Sequence, residues 1–199
     1  MLNLVEYGKH FEQLGPITVG GNNKDNPILL QELVDAVEIT KAKQILEIGF
    51  NNGGGALAFL MAPSEPTVMS VDCNQNNQSS IYLSGEFYGR FYFKQMNSDD
   101  LMKVFKPTNF DLVYIDGDHH IQGVQRDITS SIELKIPYIL FDDTENKSHP
   151  YIVEIVHVGV EQHIWEIVKT YNNKILVRVT NDKTNDDGAI NSRSTKETI

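Results

Sequence analysis

The chain has 199 residues, 40% of them hydrophobic, with 17 basic and 27 acidic side chains and a formal net charge of −10. This length and apolar content suit one domain whose core needs no disulfide or structural metal. The single cysteine, Cys73, excludes an intramolecular disulfide. Because phosphate backbones are bound mainly through Lys and Arg, the acidic balance and scattered basic residues argue against a nucleic-acid partner.

No apolar run reaches the roughly 18 residues of a membrane span, and the N-terminus lacks a basic region followed by an apolar core. We therefore expect a soluble, cytoplasmic protein without a membrane partner. A small molecule or a sugar is the expected substrate. The sequence leaves the oligomeric state open, with a homo-oligomer among the expectations.

The elements alternate between strand-like and helix-like patterns. Residues 1–27 are expected to form an irregular N-terminal segment, and Pro27 opens a helix over about 28–41. Apolar runs that predict strands follow at about 44–49, 67–72, 90–96, 110–116 and 136–142, each with a helix after it. This succession is typical of a mostly parallel α/β sheet.

The pattern changes near the end of the predicted domain, which spans 28–180. Two alternating runs, IWEIVKTY and KILVRVT, flank Asn172 and Asn173, a turn-forming pair that predicts an antiparallel hairpin. The tail over 181–199 has almost no apolar residues, so we expect it to be disordered or ordered only by a partner.

The first predicted strand runs into a glycine-rich turn, which indicates a nucleotide-type cofactor site. Glycine permits unusual backbone angles and a close approach of the backbone to a ligand. The turn contains Gly49 and Gly53, and Asp72 lies 23 residues after Gly49 at the end of the second strand. That is about the spacing at which one βαβ unit presents a carboxylate to ribose hydroxyls.

The turn also discriminates between cofactors. A dinucleotide fingerprint G-x-G-x-x-G starting at Gly49 would need a second glycine where Asn51 stands. Glu47, inside the strand end, would repel a pyrophosphate but would tolerate a cationic cofactor. The E-x-G-x-x-x-G pattern from Glu47 to Gly53 resembles motif I of the class I S-adenosylmethionine (SAM) methyltransferases.

That resemblance implies a Rossmann-like, doubly wound, seven-stranded sheet, mostly parallel with a C-terminal antiparallel hairpin. It assigns the ribose to Asp72 and the adenine to the end of the third strand, although helix capping by Ser98 is an equally open interpretation. The cofactor-binding residues that it implies are Glu47, Gly49, Asn51, Gly53, Asp72, Asn97, Ser98 and Asp116.

Acids also end the fourth and fifth predicted strands, at Asp116 and at the pair Asp142 and Asp143. The carboxyl ends of parallel strands meet at one edge, so these acids are expected to converge. Gathered carboxylates raise one another's pKa unless a cation lies among them. Mg²⁺ and Mn²⁺ prefer such oxygen ligands.

The blocks YIDGDHHIQGVQRDI and ILFDD resemble the metal-dependent O-methyltransferases that act on macrolide sugars, over about residues 44–145. The resemblance implies that Asp116, Asp142 and Asp143 ligate a divalent metal and that His119 is the general base. Asp118 is interpreted as a helix cap and His120 as a loop residue. Three further residues that follow the family pattern are interpreted as helix surface: Gln122, Arg126 and Asp127.

The sequence therefore predicts a SAM-dependent, divalent-metal-assisted O-methyltransferase for a small-molecule or sugar hydroxyl. One alternative is a metal-dependent hydroxylase-like enzyme on the same scaffold, whose iron would ordinarily need histidine ligands. Another is a protein that binds SAM without catalysing a reaction.

Overall fold

A computed structural model describes residues 1–15, 27–75, 77–145 and 149–180. Its centre is one seven-stranded sheet with the strand order β3-β2-β1-β4-β5-β7-β6. The strands are β1 (Gln44–Ile48), β2 (Thr67–Asp72), β3 (Phe91–Gln95), β4 (Leu112–Ile115), β5 (Tyr138–Phe141), β6 (Trp165–Thr170) and β7 (Ile175–Val179). The predicted fold class is confirmed.

Helices cover both faces of this sheet. They are α1 (Leu4–Phe11), α2 (Pro27–Thr40), α3 (Gly54–Leu60), α4 (Asn77–Glu86), α5 (Leu101–Val104), α6 (Ile121–Glu133) and α7 (Pro150–Glu161). A short 3₁₀ helix, Ser98–Asp100, precedes α5. The predicted Gly-Gly-Asn-Asn loop at 20–23 and the predicted tail at 181–199 lie outside the described residues.

Alternate strand residues face opposite layers, as the period of a β-strand requires. Ile45 of β1 packs in the cluster that contains Leu33 of α2 and Leu57 of α3. Its neighbour Leu46 packs in the other cluster, together with Val124 of α6. β4 and β5 are apolar along their length because both of their faces are buried, which explains why the sequence shows runs rather than alternation there.

The last strand lies between its neighbours in an antiparallel direction. β7 pairs with β5 on one side and β6 on the other, and Ile175 is opposite Phe141. This register brings the residue before β7, Lys174, beside the residue after β5, Asp142. The hairpin prediction is confirmed, and its turn reaches the edge where the parallel strands end.

The expectation of an irregular N-terminal segment is wrong for α1. Asn3 caps this helix by accepting a hydrogen bond from the backbone N–H of Glu6. Tyr7 is 2% exposed, stacks on Phe11 and donates its hydroxyl hydrogen bond to the carbonyl of Gly54. The apolar side chains at positions 4, 7 and 11 recur at helical spacing, which was the available signal.

Across the described ranges, no helix combines the length and the apolar character that crossing a membrane would require.

Gly159 on α7 is required by the tryptophan that packs on it. A side-chain carbon at Gly159 would overlap the ring of Trp165, whose indole N–H donates to the carbonyl of Val156 at 2.8 Å. We predict that Gly159→Ala lowers the free energy of unfolding by about 1–3 kcal/mol, because a well-packed core must shift. Urea denaturation measures this change.

The matched control is Gly8→Ala in α1, where a new methyl group would meet no atom within 4 Å. There alanine should stabilise the protein by about 0.5–1 kcal/mol through helix propensity. Equal effects of the two substitutions would contradict the proposed packing of α7 against Trp165.

Candidate functional site

The residues predicted to form the site lie along one edge of the sheet, where β1, β2, β4 and β5 end. Two loops at this edge are in backbone contact: Asp116 donates its N–H to the carbonyl of Ile48 at 2.9 Å. Gly49 has φ of 96°, and a side chain there would overlap the carbonyl of Asp116. A glycine at this position therefore allows the turn after β1 to pack against the loop after β4.

Asp72 holds the glycine-rich turn in place. One oxygen of its carboxylate, Oδ2, accepts hydrogen bonds from the N–H groups of Phe50 at 2.8 Å and Asn51 at 2.9 Å. The other oxygen accepts from the N–H of Asn74 at 2.7 Å. Since each carboxylate oxygen accepts about two hydrogen bonds, Oδ1 of Asp72 can still accept from one ribose hydroxyl while the carboxylate orients the turn.

Glu47 lies deeper than the sequence suggested. The residue is 1% exposed, and its Oε2 accepts from the hydroxyl of Ser70 at 2.5 Å. Burial raises the pKa of the Glu47 carboxyl to about 8, and the charge of Asp72 adds to the shift. The carboxyl is therefore mostly neutral at pH 7, so the argument that its charge repels a pyrophosphate does not hold.

The end of β3 is shaped by capping. Asn97, rather than Ser98, caps the 3₁₀ helix by accepting from the N–H of Asp99 at 3.1 Å.

Asp127 is not on the helix surface as interpreted; it is fully buried, and burial raises its pKa to about 6. A side-chain carbon at Gly117 would lie 3.5 Å from its Oδ2, so Asp127 faces the loop after β4.

Arg126 and Gln122 are exposed, as interpreted. Asp118 does not cap α6, whose N-cap is His120; instead its carboxylate accepts from the N–H of His120 at 3.0 Å. His120 is an exposed loop residue, also as interpreted. Neither Asp118 nor His120 lies against the acids that end β5.

A buried ion pair lies at the centre of the acidic edge. The ammonium of Lys174 is 2.9 Å from Oδ1 of Asp142, and Lys174 is 1% exposed. The hydroxyl of Tyr114 donates to Oδ2 of Asp142 and lies 3.2 Å from Asp116. Asp142 therefore has both carboxylate oxygens engaged by groups of this chain.

Asp116 lies next to this pair and is affected by it. Burial raises the pKa of Asp116 well above its usual range, and the negative charges of Asp142 and Asp143 raise it further. Lys174 opposes the shift. Sequence reasoning looked for a metal as the compensating cation and missed Lys174; the available signal was a lysine directly before an apolar strand.

Asp143 has a left-handed backbone, with φ of 55°, and the side-chain amide of Asn173 donates to both Asp142 and Asp143. Oδ2 of Asp143 lies 3.7 Å from Nε2 of His119, and the same nitrogen is 3.9 Å from Asp116. The imidazole of His149, just before α7, stacks on that of His119 with ring centres 5.0 Å apart. His149 was missed from sequence because it does not end a strand.

A cavity of about 680 Å³ opens beside this edge, between the N-terminal residues, α2 and the β6–β7 turn. Glu32 lines it and also approaches Lys174 at 3.9 Å. The cavity therefore borders the Lys174–Asp142 pair, whereas the glycine-rich turn does not line it.

The ion pair predicts a large response to its removal. Lys174→Met should lower the free energy of unfolding by about 3–5 kcal/mol, because it leaves Asp142 buried without its cation. Lys174→Met combined with Asp142→Asn should recover part of the loss, since the uncompensated charge is gone. Lys103→Met, which breaks an exposed pair with Asp100, should leave stability unchanged within error. A double variant less stable than Lys174→Met would contradict the pairing.

Glu47 predicts a pH dependence with a defined sign. Its folded pKa of about 8 exceeds the ordinary value of 4.5, so the unfolded chain ionises first and stability falls as pH rises from 4.5 towards 8. Glu47→Gln removes this loss. The variant should therefore gain stability relative to the parent across that window, with a slope approaching about 1.4 kcal/mol per pH unit. Urea denaturation at pH 5 and pH 8 measures it; a pH-independent difference would contradict the burial of a neutral carboxyl.

Comparisons with known proteins agree with this architecture. A family model described as a methyltransferase domain matches residues 46–144. A search of curated protein sequences gives no match. The solved structures described below share this fold but are 17% identical or less to this chain.

An SAH-bound methyltransferase from Podospora anserina is 15% identical, with a TM-score of 0.65 and coverage of 89% of this chain and 87% of that chain. An O-methyltransferase from Bacillus cereus in complex with SAH is 17% identical, with a TM-score of 0.58 and coverage of 89% of both chains. The MycE methyltransferase of the mycinamycin pathway, in complex with Mg and SAH, is 14% identical, with a TM-score of 0.60 and coverage of 92% of this chain and 56% of that chain. The match to a methyltransferase domain over residues 46–144 and the shared fold make this chain similar to the SAH-bound methyltransferases described above.

Proposed function

We propose that the protein is a SAM-dependent O-methyltransferase that acts on a hydroxyl group of a small molecule or sugar. The observation that carries the proposal is the placement, along one sheet edge, of the turn held by Asp72 and a cluster of acids and histidines after β4 and β5. The first part suits a ribose-containing cofactor, and the second suits an acceptor that must lose a proton.

The cofactor half rests on Asp72 and the glycine-rich turn. Asp72 already accepts hydrogen bonds from two N–H groups of the turn, so both the carboxylate and the turn are ordered before the cofactor binds. Little conformational entropy is therefore lost on binding. The remaining acceptor position of Asp72, on Oδ1, suits one hydroxyl of a ribose. Several solved structures with this fold, described above, hold SAH, which supports this cofactor.

The acceptor half rests on the residues around His119. Methyl transfer to oxygen is an in-line displacement from a sulfonium, and it needs an acceptor that is deprotonated or becomes so. His119 lies at the end of β4 with its Nε2 towards Asp116 and Asp143. A group of this kind can take a proton or hold a metal that lowers the acceptor's pKa.

The three acids expected to bind Mg²⁺ or Mn²⁺ fit that role poorly. Lys174 and Tyr114 each contact one carboxylate oxygen of Asp142. A metal held by Asp116, Asp142 and Asp143 would share Asp142 with a buried ammonium group, whose positive charge repels it. The proposed function therefore does not depend on a metal held by these three acids.

The cofactor assignment is tested by Asp72→Ala. Its loss should weaken SAM binding by at least about tenfold, because each charge-assisted hydrogen bond contributes roughly 1.5–3 kcal/mol. Isothermal titration of the purified protein with SAM and, separately, with NAD measures this; we expect binding of SAM and none of NAD.

Asp111→Ala is the matched control. Asp111 accepts from the N–H groups of Lys43 and Gln44, at 2.8 and 2.9 Å, at the opposite end of β1. The Asp111→Ala substitution removes the same kind of carboxylate-to-backbone hydrogen bond at a distance from the proposed cofactor site, so SAM affinity should be retained. Absence of any heat or thermal shift with millimolar SAM, or binding of NAD instead, would refute the proposed cofactor.

A further inference from the structure

Two histidines and one aspartate gather at the acceptor side of the edge. Among the described residues, the one group of at least three His, Cys, Asp or Glu side chains with ligand atoms all within 4.8 Å of one another is His119, Asp143 and His149. All three are partly exposed. We propose that these three side chains form a binding site for a divalent transition metal that accepts imidazole ligands, such as Zn²⁺, Co²⁺ or Fe²⁺.

The neighbouring hydrogen bonds leave the required atoms free. Nδ1 of His149 is 3.0 Å from the hydroxyl of Tyr151, so Nε2 is the nitrogen available to a metal. Asn173 donates to Oδ1 of Asp143 at 3.3 Å, which leaves Oδ2 facing His119. Metal-binding imidazoles and carboxylates are commonly oriented by such partners, which fix the ring and the tautomer.

The distances are within reach of coordination. Metal–nitrogen bonds of about 2.0–2.1 Å place neighbouring ligand atoms of a tetrahedral site about 3.3 Å apart. The three ligand atoms lie at most 4.8 Å apart, and the side chain of His119 is 37% exposed. Metal binding would therefore require the stacked imidazoles of His119 and His149 to rotate towards the ion.

The donor set decides the class of metal. Imidazole suits Zn²⁺, Fe²⁺ and related ions, whereas Mg²⁺ prefers oxygen ligands throughout. Asp142 pairs with Lys174, whereas Oδ2 of Asp143 faces His119. The two adjacent acids therefore have different partners, and the proposed metal class differs from the Mg²⁺ or Mn²⁺ that the sequence predicted.

The inference deepens the proposed function and rests on it for the role of the metal, which would lie where the acceptor hydroxyl is expected. His119 is then a ligand rather than the general base. The two roles make different predictions for His149: a ligand pair needs both histidines, whereas a general base at His119 does not need His149.

The test uses the full chain, treated with a chelator and then titrated with Co²⁺ alone, with visible absorption as the readout. We expect one equivalent of Co²⁺ to give ligand-field bands that Zn²⁺ displaces and millimolar Mg²⁺ does not. His119→Ala, Asp143→Asn and His149→Ala should each weaken Co²⁺ binding by at least about tenfold. His157→Ala removes an exposed histidine from α7 and should leave the titration unchanged.

Thermal melting of each variant and titration with SAH accompany the Co²⁺ experiment, and His149→Gln replaces His149→Ala if the alanine variant does not fold. Unchanged Co²⁺ affinity in folded His149→Ala or His149→Gln would overturn the inference. So would competition by Mg²⁺ together with loss of binding in Asp116→Asn, which would indicate the three-acid site. SAH binding without Co²⁺ binding refutes the metal site alone, whereas Co²⁺ binding through the histidines without SAH binding supports the metal site and refutes the proposed function.

Discussion

The arrangement of the site depends on the ammonium of Lys174 inside an edge crowded with carboxylates. Parallel strands that end together bring their terminal acids together, and buried like charges are costly unless a cation compensates them. Here the antiparallel insertion of β7 delivers that cation from the protein itself, 2.9 Å from Asp142. The charge of Asp142 is thereby compensated by Lys174, and Tyr114 is oriented by its hydrogen bond to Asp142. Asp143 faces His119 instead.

The same constraint explains which parts of the fold and site were predictable. The succession of strands and helices and the final hairpin follow from apolar runs and turn residues, which are local signals. The strand arrangement and the helices on both faces were implied by the resemblance to SAM-dependent methyltransferases. Glu47, Asp72 and Asp116 were correctly placed along the chain because each ends or nearly ends a strand. The orientation of their side chains was not predictable, since it depends on partners supplied by other parts of the chain. Ser70 of β2 is the partner of Glu47, and the N–H groups of the turn after β1 are the partners of Asp72.

Contacts distant in sequence account for the residues that were missed. Lys174 meets Asp142 across 32 positions only because β7 pairs with β5 in one register. His149 reaches His119 because α7 starts beside the loop after β4, and no spacing rule encodes that approach. Asp127 was interpreted as helix surface, yet it is fully buried and faces the loop at Gly117. In each case tertiary packing overrides the local pattern.

In the proposed function, Asp72 preorganises the cofactor half of the site, and His119, Asp143 and His149 hold a metal in the acceptor half. The most direct test is a crystal structure of the chain with SAH, prepared with Co²⁺ and measured at the cobalt absorption edge. The expected result is a ribose hydroxyl within hydrogen-bond distance of Asp72, sulfur directed at the edge formed by β4 and β5, and one anomalous peak between His119, Asp143 and His149. SAH bound away from Asp72, or an anomalous peak among Asp116, Asp142 and Asp143, would contradict it.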